Sequence, residues 1–337
     1  ERPTNMSLIH AYCDLFSKEI TNCIDLSVWN DSEIQKYTTD NVHLTEEGNR
    51  FIFNRVLEHI KRGKDKVEEN RTTKSIPPFW PKSRTNTDFS DPEIINKTKR
   101  LSILRSYQIE NTPIATLVVG FRLKNENRER LQNLRTFLKW IRKFYENLFE
   151  IILVEQDEVK KFDENLLENG ERYEFLYNPK EYNRGWGYNV AVKHFVKTNV
   201  VVTCDTDVLF GKSFLSSVLQ CYRGKEFVSP YRNVYYTNEN EAKEIQKAGS
   251  ISRLNFEESR LKNPVSITGG VCIFKKDAYL RLGGYEQYIG YSCEDRSFDV
   301  AICELVDVTK IVIQNEIYVH LWHPLGKEEK INFEQIY

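Results

Sequence analysis

Residues Val200–Phe210 read VVVTCDTDVLF, an apolar run followed by two carboxylates one residue apart. An unbroken apolar run of this length predicts a strand buried on both faces, as in a parallel sheet. Two acids at the end of such a strand are costly to remove from water unless a cation meets them. A divalent cation that also bridges to a phosphate is the simplest partner. The alternative is that the acids are solvated or cap a following helix.

The composition limits the class of protein. The 337 residues are enough for one large domain or two ordinary ones, and the formal net charge is −1, so bulk charge predicts no binding to nucleic acid or membranes. Seven cysteines without a C-x-x-C pair argue against a disulfide scaffold or a structural zinc site. We therefore expect free thiols in a reducing compartment, the cytoplasm. No apolar run reaches membrane-spanning length.

Residues 1–62 carry a pattern of their own. Asp40 and His43 precede apolar residues at helical spacing between positions 53 and 60. This arrangement resembles the last block of the SGNH (GDSL-type) hydrolases, in which the Asp orients a His that activates a serine. Because no Gly-Asp-Ser block precedes it, we expect the C-terminal end of such a domain, truncated at Glu1 and without esterase activity. Alternatively, Asp40 and His43 are ordinary loop residues.

Residues 63–112 separate this segment from the rest of the chain. The tract begins with alternating charges and contains Pro77, Pro78, Pro81 and Pro92 among Ser, Thr and Asn residues. Because no helical or strand period dominates, we predict a linker, or a strap laid over a domain surface.

In residues 113–337 predicted strands alternate with predicted helices. Apolar runs at 114–121, 149–154, 173–177 and 200–204 are interleaved with helical patterns at 131–145 and 189–196. The alternation predicts an α/β fold with a mostly parallel sheet, whose ligands bind at the carboxyl ends of the strands. Arg122, Asp157 and the Asp205/Asp207 pair follow such strands. The absence of G-x-G-x-x-G and G-x-x-x-x-G-K argues against a dehydrogenase or a P-loop enzyme.

Six motifs between residues 113 and 323 resemble, in the same order, those of the β-1,4-galactosyltransferases. They are Phe121-Arg122 with Arg128, Tyr182-Asn183-Arg184 before Gly187-Tyr188-Asn189-Val190, Asp205-Thr206-Asp207, Gly269-Gly270-Val271, Leu282-Gly283-Gly284-Tyr285 and Glu294-Asp295. The resemblance implies the GT-A fold of nucleotide-sugar transferases, preceded here by a short α/β remnant of the SGNH-like domain. It also implies metal-dependent, inverting transfer of a hexose of the galactose or N-acetylgalactosamine class from a UDP-sugar to a glycan hydroxyl, with Mn²⁺ or Mg²⁺, in polysaccharide or glycoconjugate synthesis.

The resemblance assigns roles to the acids. It implies that Asp207 is a direct metal ligand and that Asp205 lies nearer the ribose or reaches the metal through water. It makes Asp295 the base that takes the proton of the acceptor hydroxyl, while Glu294 binds the acceptor or orients Asp295. The alternative for Glu294 and Asp295 is that both stabilise the positive end of a helix that begins near Arg296.

The remaining site residues follow from the same resemblance. Asn183 and the basic residues are candidates for binding the nucleotide, Glu155 or Asp157 is expected near the base, and the two glycines allow close approach of the backbone to a sugar. The basic residues and glycines are Arg122, Arg128, Arg184, Gly269 and Gly270.

The remaining metal ligands are expected late in the chain. His320 and His323 are the one closely spaced pair of histidines, and their spacing equals that of the family's Met-x-x-His. Residues three apart in a regular strand face opposite sides, so both bind only if the chain turns there, as Pro324 permits. Alternatively, one of them is a core histidine beside Trp322.

The chain departs from the family where the acceptor pocket is expected. Ile289-Gly290-Tyr291 and Ser292-Cys293 replace the Trp-Gly-Trp and Gly-Gly of the family, and Arg296 and Ser297 replace further acids. The identity of the glycan acceptor is therefore not implied. Two other readings stay open: a non-catalytic module that binds glycan or nucleotide, and part of a bifunctional hydrolase–transferase.

Overall fold

The computed structural model describes residues 90–123, 128–262, 268–287 and 294–324. All of them belong to one compact unit of the chain. The predicted SGNH-like segment at 1–62, the tract 63–89 and the replaced motif at 289–293 lie outside the described residues, and the predictions made for them stay predictions.

A seven-stranded mixed sheet forms the centre of the described fold, in the order β10-β6-β9-β4-β1-β2-β3. Strands β4, β1, β2 and β3 are parallel neighbours, whereas β9 is antiparallel to both β4 and β6. This confirms the predicted α/β class with a mostly parallel sheet. The strands in chain order are β1 (Ala115–Phe121), β2 (Phe149–Asp157), β3 (Glu171–Tyr177), β4 (Val200–Cys204), β5 (Val208–Leu209), β6 (Phe227–Ser229), β7 (Asn233–Tyr236), β8 (Leu261–Lys262), β9 (Val271–Lys275), β10 (Ile311–Ile313) and β11 (Ile317–His320).

A second sheet of four short strands, β5-β11-β7-β8, begins directly after the two acids. In it β11 is antiparallel to β5 and parallel to β7, with His320 opposite Val208. This pairing brings the end of the described chain back to the carboxyl end of β4.

Seven α-helices are present in the described residues. They are α1 (Lys97–Ser106), α2 (Arg128–Tyr145), α3 (Arg184–His194), α4 (Phe214–Tyr222), α5 (Glu239–Ala248), α6 (Lys276–Arg281) and α7 (Glu294–Leu305). None of the described helices is both long and apolar enough to cross a membrane. Three short 3₁₀ turns lie at Glu164–Leu166, Glu258–Arg260 and Val308–Lys310.

Helix α3 begins five residues before its predicted start at position 189. Asn183 caps it by accepting a hydrogen bond from Trp186 N at 2.8 Å. The two glycines of its first turns lower helix propensity but fit tight packing, because a Cβ on Gly187 would lie 2.3 Å from Gln156 Nε2. The early start places Arg184 in the first turn of the helix, at the carboxyl edge of the sheet.

The core lies on both faces of the sheet, as strand β1 shows. Leu117 and Val119 pack with Phe137 of α2 on one face, and Val118 packs with Tyr188 of α3 on the other. Alternate residues of a strand point to opposite faces, so a run of buried apolar residues requires cover on both sides. Full burial of one such apolar side chain stabilises the fold by about 1.5–3 kcal/mol.

The described part of the predicted linker or strap packs on the domain. Leu104 of α1 is buried in the core, and Asp91 accepts hydrogen bonds from Ile251 N at 2.8 Å and Ser250 Oγ at 2.6 Å. Residues 90–112 therefore pack with the compact unit, although they precede residue 113, where the α/β segment was predicted to begin.

Candidate active site

Asp207 is the last of the three residues between β4 and β5, at the point where the two sheets meet. Its carbonyl accepts a hydrogen bond from Leu321 N at 2.7 Å, so the main chain joins it to the segment after β11. The Asp207 side chain is 6% exposed, and its Oδ1 atom has no hydrogen-bond partner. A buried carboxylate oxygen without a partner is destabilising unless a cation binds it.

Both predicted histidines face this carboxylate. His320 Nε2 lies 3.5 Å from Asp207 Oδ1, and His323 Nε2 lies 3.3 Å from Asp207 Oδ2. The chain turns after His320 because Thr237 N donates to His320 O at 3.0 Å and Thr237 Oγ1 accepts from Trp322 N at 2.8 Å. The turn brings His323, three positions after His320, to the same carboxylate. Both histidines could reach one metal ion only if the chain turned here.

The protonation of His323 indicates what fits between these groups. Burial lowers the pKa of His323, although the nearby charge of Asp207 opposes the shift, so the ring is neutral near pH 7. Its Nδ1 lies 3.1 Å from the carbonyl of Pro324, which can only accept, so Nδ1 carries the hydrogen. The Nε2 lone pair then faces the oxygen of Asp207 at 3.3 Å, and a cation between these two acceptors would satisfy both.

One carboxylate and two imidazoles thus form a candidate metal centre. The potential ligand atoms of Asp207, His320 and His323 all lie within 4.8 Å of one another. A main-chain carbonyl that accepts a hydrogen bond from the far ring nitrogen of a histidine is typical of metal-bound imidazole. Imidazole suits transition metals better than Mg²⁺, so the donor set fits Mn²⁺ better than Mg²⁺. The same set also holds ferrous iron in other proteins.

Arg184 connects the first acid of the motif to the acids of α7. Its Nε lies 3.1 Å from Asp205 Oδ1, and its Nη1 lies 3.5 Å from Glu294 Oε1. The guanidinium also lies over the rings of Tyr188 and Tyr285, at 5.3 Å and 5.9 Å from their centroids. Arg184 Nη2 and Glu294 Oε2 are buried without hydrogen-bond partners, so a donor and an acceptor remain for a ligand.

Glu294 and Asp295 are the first two residues of α7, where negative charge favours the helix. Burial raises the pKa of Glu294, and the positive charge of Arg184 partly offsets the increase. Thr268 Oγ1 donates to the carbonyl of Asp295 at 2.9 Å, and Thr268 N donates to Asp299 Oδ1 at 3.0 Å. Thr268 is followed directly by the glycine pair 269–270, so it connects those glycines to the first turn of α7.

The glycine pair lies against the start of the acidic motif. Gly270 has φ +71°, and its carbonyl accepts a hydrogen bond from Asp205 N at 2.9 Å. A Cβ at Gly270 would lie 2.8 Å from the hydroxyl oxygen of Tyr231, which donates to Gly269 O. A side chain here would be strained by the positive φ and would displace Tyr231, so glycine is required.

Arg122 has a different environment from the one expected. Its Nε, Nη1 and Nη2 atoms donate to the carbonyls of Gln156 at 2.6 Å, Lys180 at 2.6 Å and Asn178 at 2.7 Å. The guanidinium therefore joins the end of β2 to the loop after β3. This geometry supports a structural role for Arg122, and its role at the nucleotide stays a prediction.

Glu155 and Asp157 also make local contacts. Glu155 is fully buried and accepts from Tyr173 Oη at 2.5 Å, while Asp157 pairs with Lys161 Nζ at 2.7 Å. The residue between them, Gln156, faces the other way, and its Nε2 donates to Asn183 O at 2.8 Å. Sequence reasoning did not single out Gln156, which supports the cap of α3 and hence the position of Arg184.

Arg128 is exposed at the first residue of α2. Arg130, two residues later, is the basic residue of this turn whose charge acts on the site, because it lowers the pKa of both His323 and Tyr182. Arg130 was not among the predicted residues, and the charged cluster near position 128 was the signal that could have indicated it.

The described cysteines are free thiols. Cys204, Cys221 and Cys272 are buried and Cys303 is exposed. The cytoplasmic location expected from the cysteine pattern stays a prediction.

No protein-family model matches the chain, and no curated protein matches it in sequence. Solved structures similar to it include a mutant of Drosophila β-1,4-galactosyltransferase 7 with manganese, UDP-Gal and xylobiose, at 13% identity and a TM-score of 0.37, covering 64% of this chain and 73% of that chain. S. aureus TarS with UDP-GlcNAc has 14% identity and a TM-score of 0.41, covering 64% and 60%. GalNAc-T7 with UDP, GalNAc and Mn²⁺ has 11% identity and a TM-score of 0.44, covering 74% and 57%.

The chain spans less than two thirds of the length of the latter two. These similar structures are glycosyltransferases, but the similarities are too distant to supply a substrate or a mechanism. A functional inference must therefore rest on the residues of the site.

Proposed function

We propose that the chain is a metal-dependent glycosyltransferase that transfers a hexose from a UDP-sugar to a hydroxyl of a glycan. The observation that carries the proposal is the buried carboxylate of Asp207, whose Oδ1 has no hydrogen-bond partner and whose Oδ2 faces His323, while Arg184 joins the neighbouring Asp205 to Glu294. Displacement of a nucleoside diphosphate needs a cation site for the leaving group and a base for the acceptor hydroxyl.

On the donor side, Asp207, His320 and His323 would hold Mn²⁺ or, less well, Mg²⁺. A divalent cation bound there would neutralise the negative charge that develops on the departing diphosphate. Asp205 stays out of this cluster because Arg184 and Tyr188 Oη contact its Oδ1. This arrangement supports a role for Asp205 at the ribose.

On the acceptor side, Asp295 takes the proton of the attacking hydroxyl. The new bond forms between that oxygen and the anomeric carbon, and the bond from the anomeric carbon to the β-phosphate oxygen breaks, so UDP leaves from the opposite face. A single displacement of this kind inverts the anomeric configuration. Glu294 is held by Arg184 and orients the acceptor or Asp295.

A donor screen tests the proposal. UDP-hexoses, including UDP-galactose and UDP-N-acetylgalactosamine, are incubated with a panel of glycan acceptors and Mn²⁺, Mg²⁺ or Fe²⁺, and UDP release is measured. We expect acceptor-dependent release that is highest with Mn²⁺. UDP binding without release for any acceptor would favour the non-catalytic module, and no metal-dependent UDP binding would contradict the proposal.

The role of Asp295 is tested by Asp295→Asn, which keeps the shape of the side chain and removes its basicity. General-base catalysis contributes about 10²–10⁴-fold, so we expect a loss of transfer in that range with UDP and Mn²⁺ affinities close to those of the wild type. Undiminished transfer by Asp295→Asn would exclude Asp295 as the base.

A further inference from the structure

The turn after β11 carries the second histidine of the metal centre beyond the end of its strand. His320 is the last residue of β11, where it pairs with Val208 of β5 and with Tyr236 of β7. Its ring also stacks on the ring of Tyr236, with centroids 4.7 Å apart. His323 lies three residues past this ladder, so its position depends on how the turn is held.

A side-chain hydroxyl binds the main chain of this turn at two points. Thr237 directly follows β7 and is only 5% exposed. Its Oγ1 donates to His320 O at 3.2 Å and accepts from Trp322 N at 2.8 Å, which a hydroxyl can do at the same time. The hydroxyl thus joins a carbonyl to an N–H two residues later. The chain therefore leaves the path of a regular strand, in which residues 320 and 323 would face opposite sides.

A buried amide contacts the same turn from helix α2. Asn133 is fully buried, and its Nδ2 donates to Trp322 O at 3.2 Å. Gln246 of α5 donates from Nε2 to Asn133 Oδ1 at 2.9 Å, which fixes the amide with its nitrogen toward Trp322. Leu321 N, in the middle of the turn, donates to Asp207 O. The conformation of the turn is therefore set by groups from other elements of the fold.

We propose that Thr237 is the positioning residue that makes His323 a metal ligand, with Asn133 in a supporting role. The inference rests on the metal centre of the proposed function. The Thr237 hydroxyl acts on His323 in particular, because strand pairing on both sides and the stacked ring of Tyr236 hold His320 independently of it. Loss of the hydroxyl should therefore weaken the metal centre through one of its ligands.

Thr237→Val tests the inference because it keeps the shape of the side chain and removes both hydrogen bonds of the hydroxyl. The dissociation constant for Mn²⁺ alone is measured from the electron paramagnetic resonance signal of the free ion, without nucleotide, so it does not depend on turnover. We expect the affinity to fall about tenfold, at the lower end of the effects of groups that orient metal ligands. Thr237→Ser keeps the hydroxyl and should bind Mn²⁺ about as tightly as wild type.

Thr198→Val is the matched control. Thr198 Oγ1 donates to Val200 O at 2.7 Å, at the amino end of β4, whereas Asp207 follows the carboxyl end of that strand. This substitution also removes a threonine hydroxyl that binds a main-chain carbonyl, and it should leave the affinity for Mn²⁺ unchanged.

Variants of the two histidines show through which ligand Thr237 acts. In the His323→Ala background, Thr237→Val should cause little further loss of Mn²⁺ affinity, because the ligand that it positions is already gone. In the His320→Ala background, it should cost nearly the same factor as in wild type. A merely structural role of Thr237 would lower the melting temperature of the metal-free protein and would not distinguish the two backgrounds.

The inference is wrong if Thr237→Val binds Mn²⁺ as tightly as wild type, or if its loss is equal in the two histidine backgrounds. In either case the proposed function stands. If Thr237→Val does not fold, Asn133→Leu, which is close in size and removes the donor to Trp322 O, takes its place under the same criteria. If wild type binds no Mn²⁺, the metal centre itself fails and the proposed function with it, which distinguishes that failure from the other results.

Discussion

The metal side and the acid side of the candidate site differ in how they are held. Asp207 and His320 belong to a main-chain ladder, in which β5 pairs with β11 and Leu321 N donates to Asp207 O. The acids at the start of α7 are held by side chains, because Thr268 binds the first turn and Arg184 contacts Glu294.

This difference has a consequence for mutation. A backbone ladder is insensitive to most side-chain changes, so on the metal side the ligands themselves should dominate the effects. A helix start held by side chains can be shifted by a single substitution at a supporting residue, so on the acid side the supporting residues should also matter. The comparison predicts which substitutions change metal binding and which change transfer alone.

Asp207→Asn should have the largest effect. Asparagine keeps the size of the side chain and removes the charge, so we expect Mn²⁺-induced thermal stabilisation to disappear and UDP release to fall about a hundredfold or more. Without metal, the variant should be at least as stable as wild type, because it removes a buried and unpaired charge. Thermal melts with and without Mn²⁺ measure both effects. A metal-free variant that melts well below wild type would indicate a structural ion pair with protonated histidines instead.

Thr268→Val should have an intermediate effect, confined to the acid side. Valine keeps the shape but cannot donate to the carbonyl of Asp295, while Thr268 N can still bind Asp299. We expect transfer to fall about tenfold at unchanged affinity for UDP and Mn²⁺, because small misplacements of a catalytic group are costly. Thr268→Ser keeps the hydroxyl and should restore the rate. A lower melting temperature with an unchanged rate per folded molecule would mean that Thr268 only stabilises the fold.

Much of the sheet could be predicted from the sequence, because its central strands are long apolar runs in alternation with helices. The runs at β1, β2 and β4 specify buried strands, and their ends locate the acids of the site. The second sheet could not be predicted in this way. Strand β5 contains two residues and pairs with β11 more than 100 positions later, and local periodicity carries no information on such a pairing.

Local periodicity was also insufficient to predict how the site residues are arranged. The closeness of His320 and His323 to Asp207 could be inferred from the resemblance but not from spacing, because the turn depends on Thr237, the residue after β7. Strand β2 is buried on both faces, so its pattern gave no sign that Gln156, and not Glu155 or Asp157, faces α3. The orientation of a strand covered on both sides is set by tertiary packing.

Glu316→Gln should have the smallest effect, at the end of the β5–β11 ladder remote from Asp207. Ser213 N donates to Glu316 Oε1 at 3.0 Å and to Oε2 at 3.2 Å, and the Ser213 hydroxyl also binds Oε2. Burial raises the pKa of Glu316 from 4.5 to about 7, so the folded protein holds this proton more tightly than the unfolded chain.

The sign of the pH dependence follows from that shift. The stability from protonated Glu316 is complete below about pH 4.5 and is lost as the pH rises through about 7. The melting temperature of wild type should therefore rise relative to that of Glu316→Gln as the pH falls from about 8 to about 6, since glutamine does not titrate. Glu158→Gln, at an exposed position after β2, should follow wild type at every pH. Parallel curves for wild type and Glu316→Gln would show that this carboxylate does not titrate near neutral pH. In that case the end of the β5–β11 ladder remote from Asp207 would contribute no pH dependence to the stability near neutral pH.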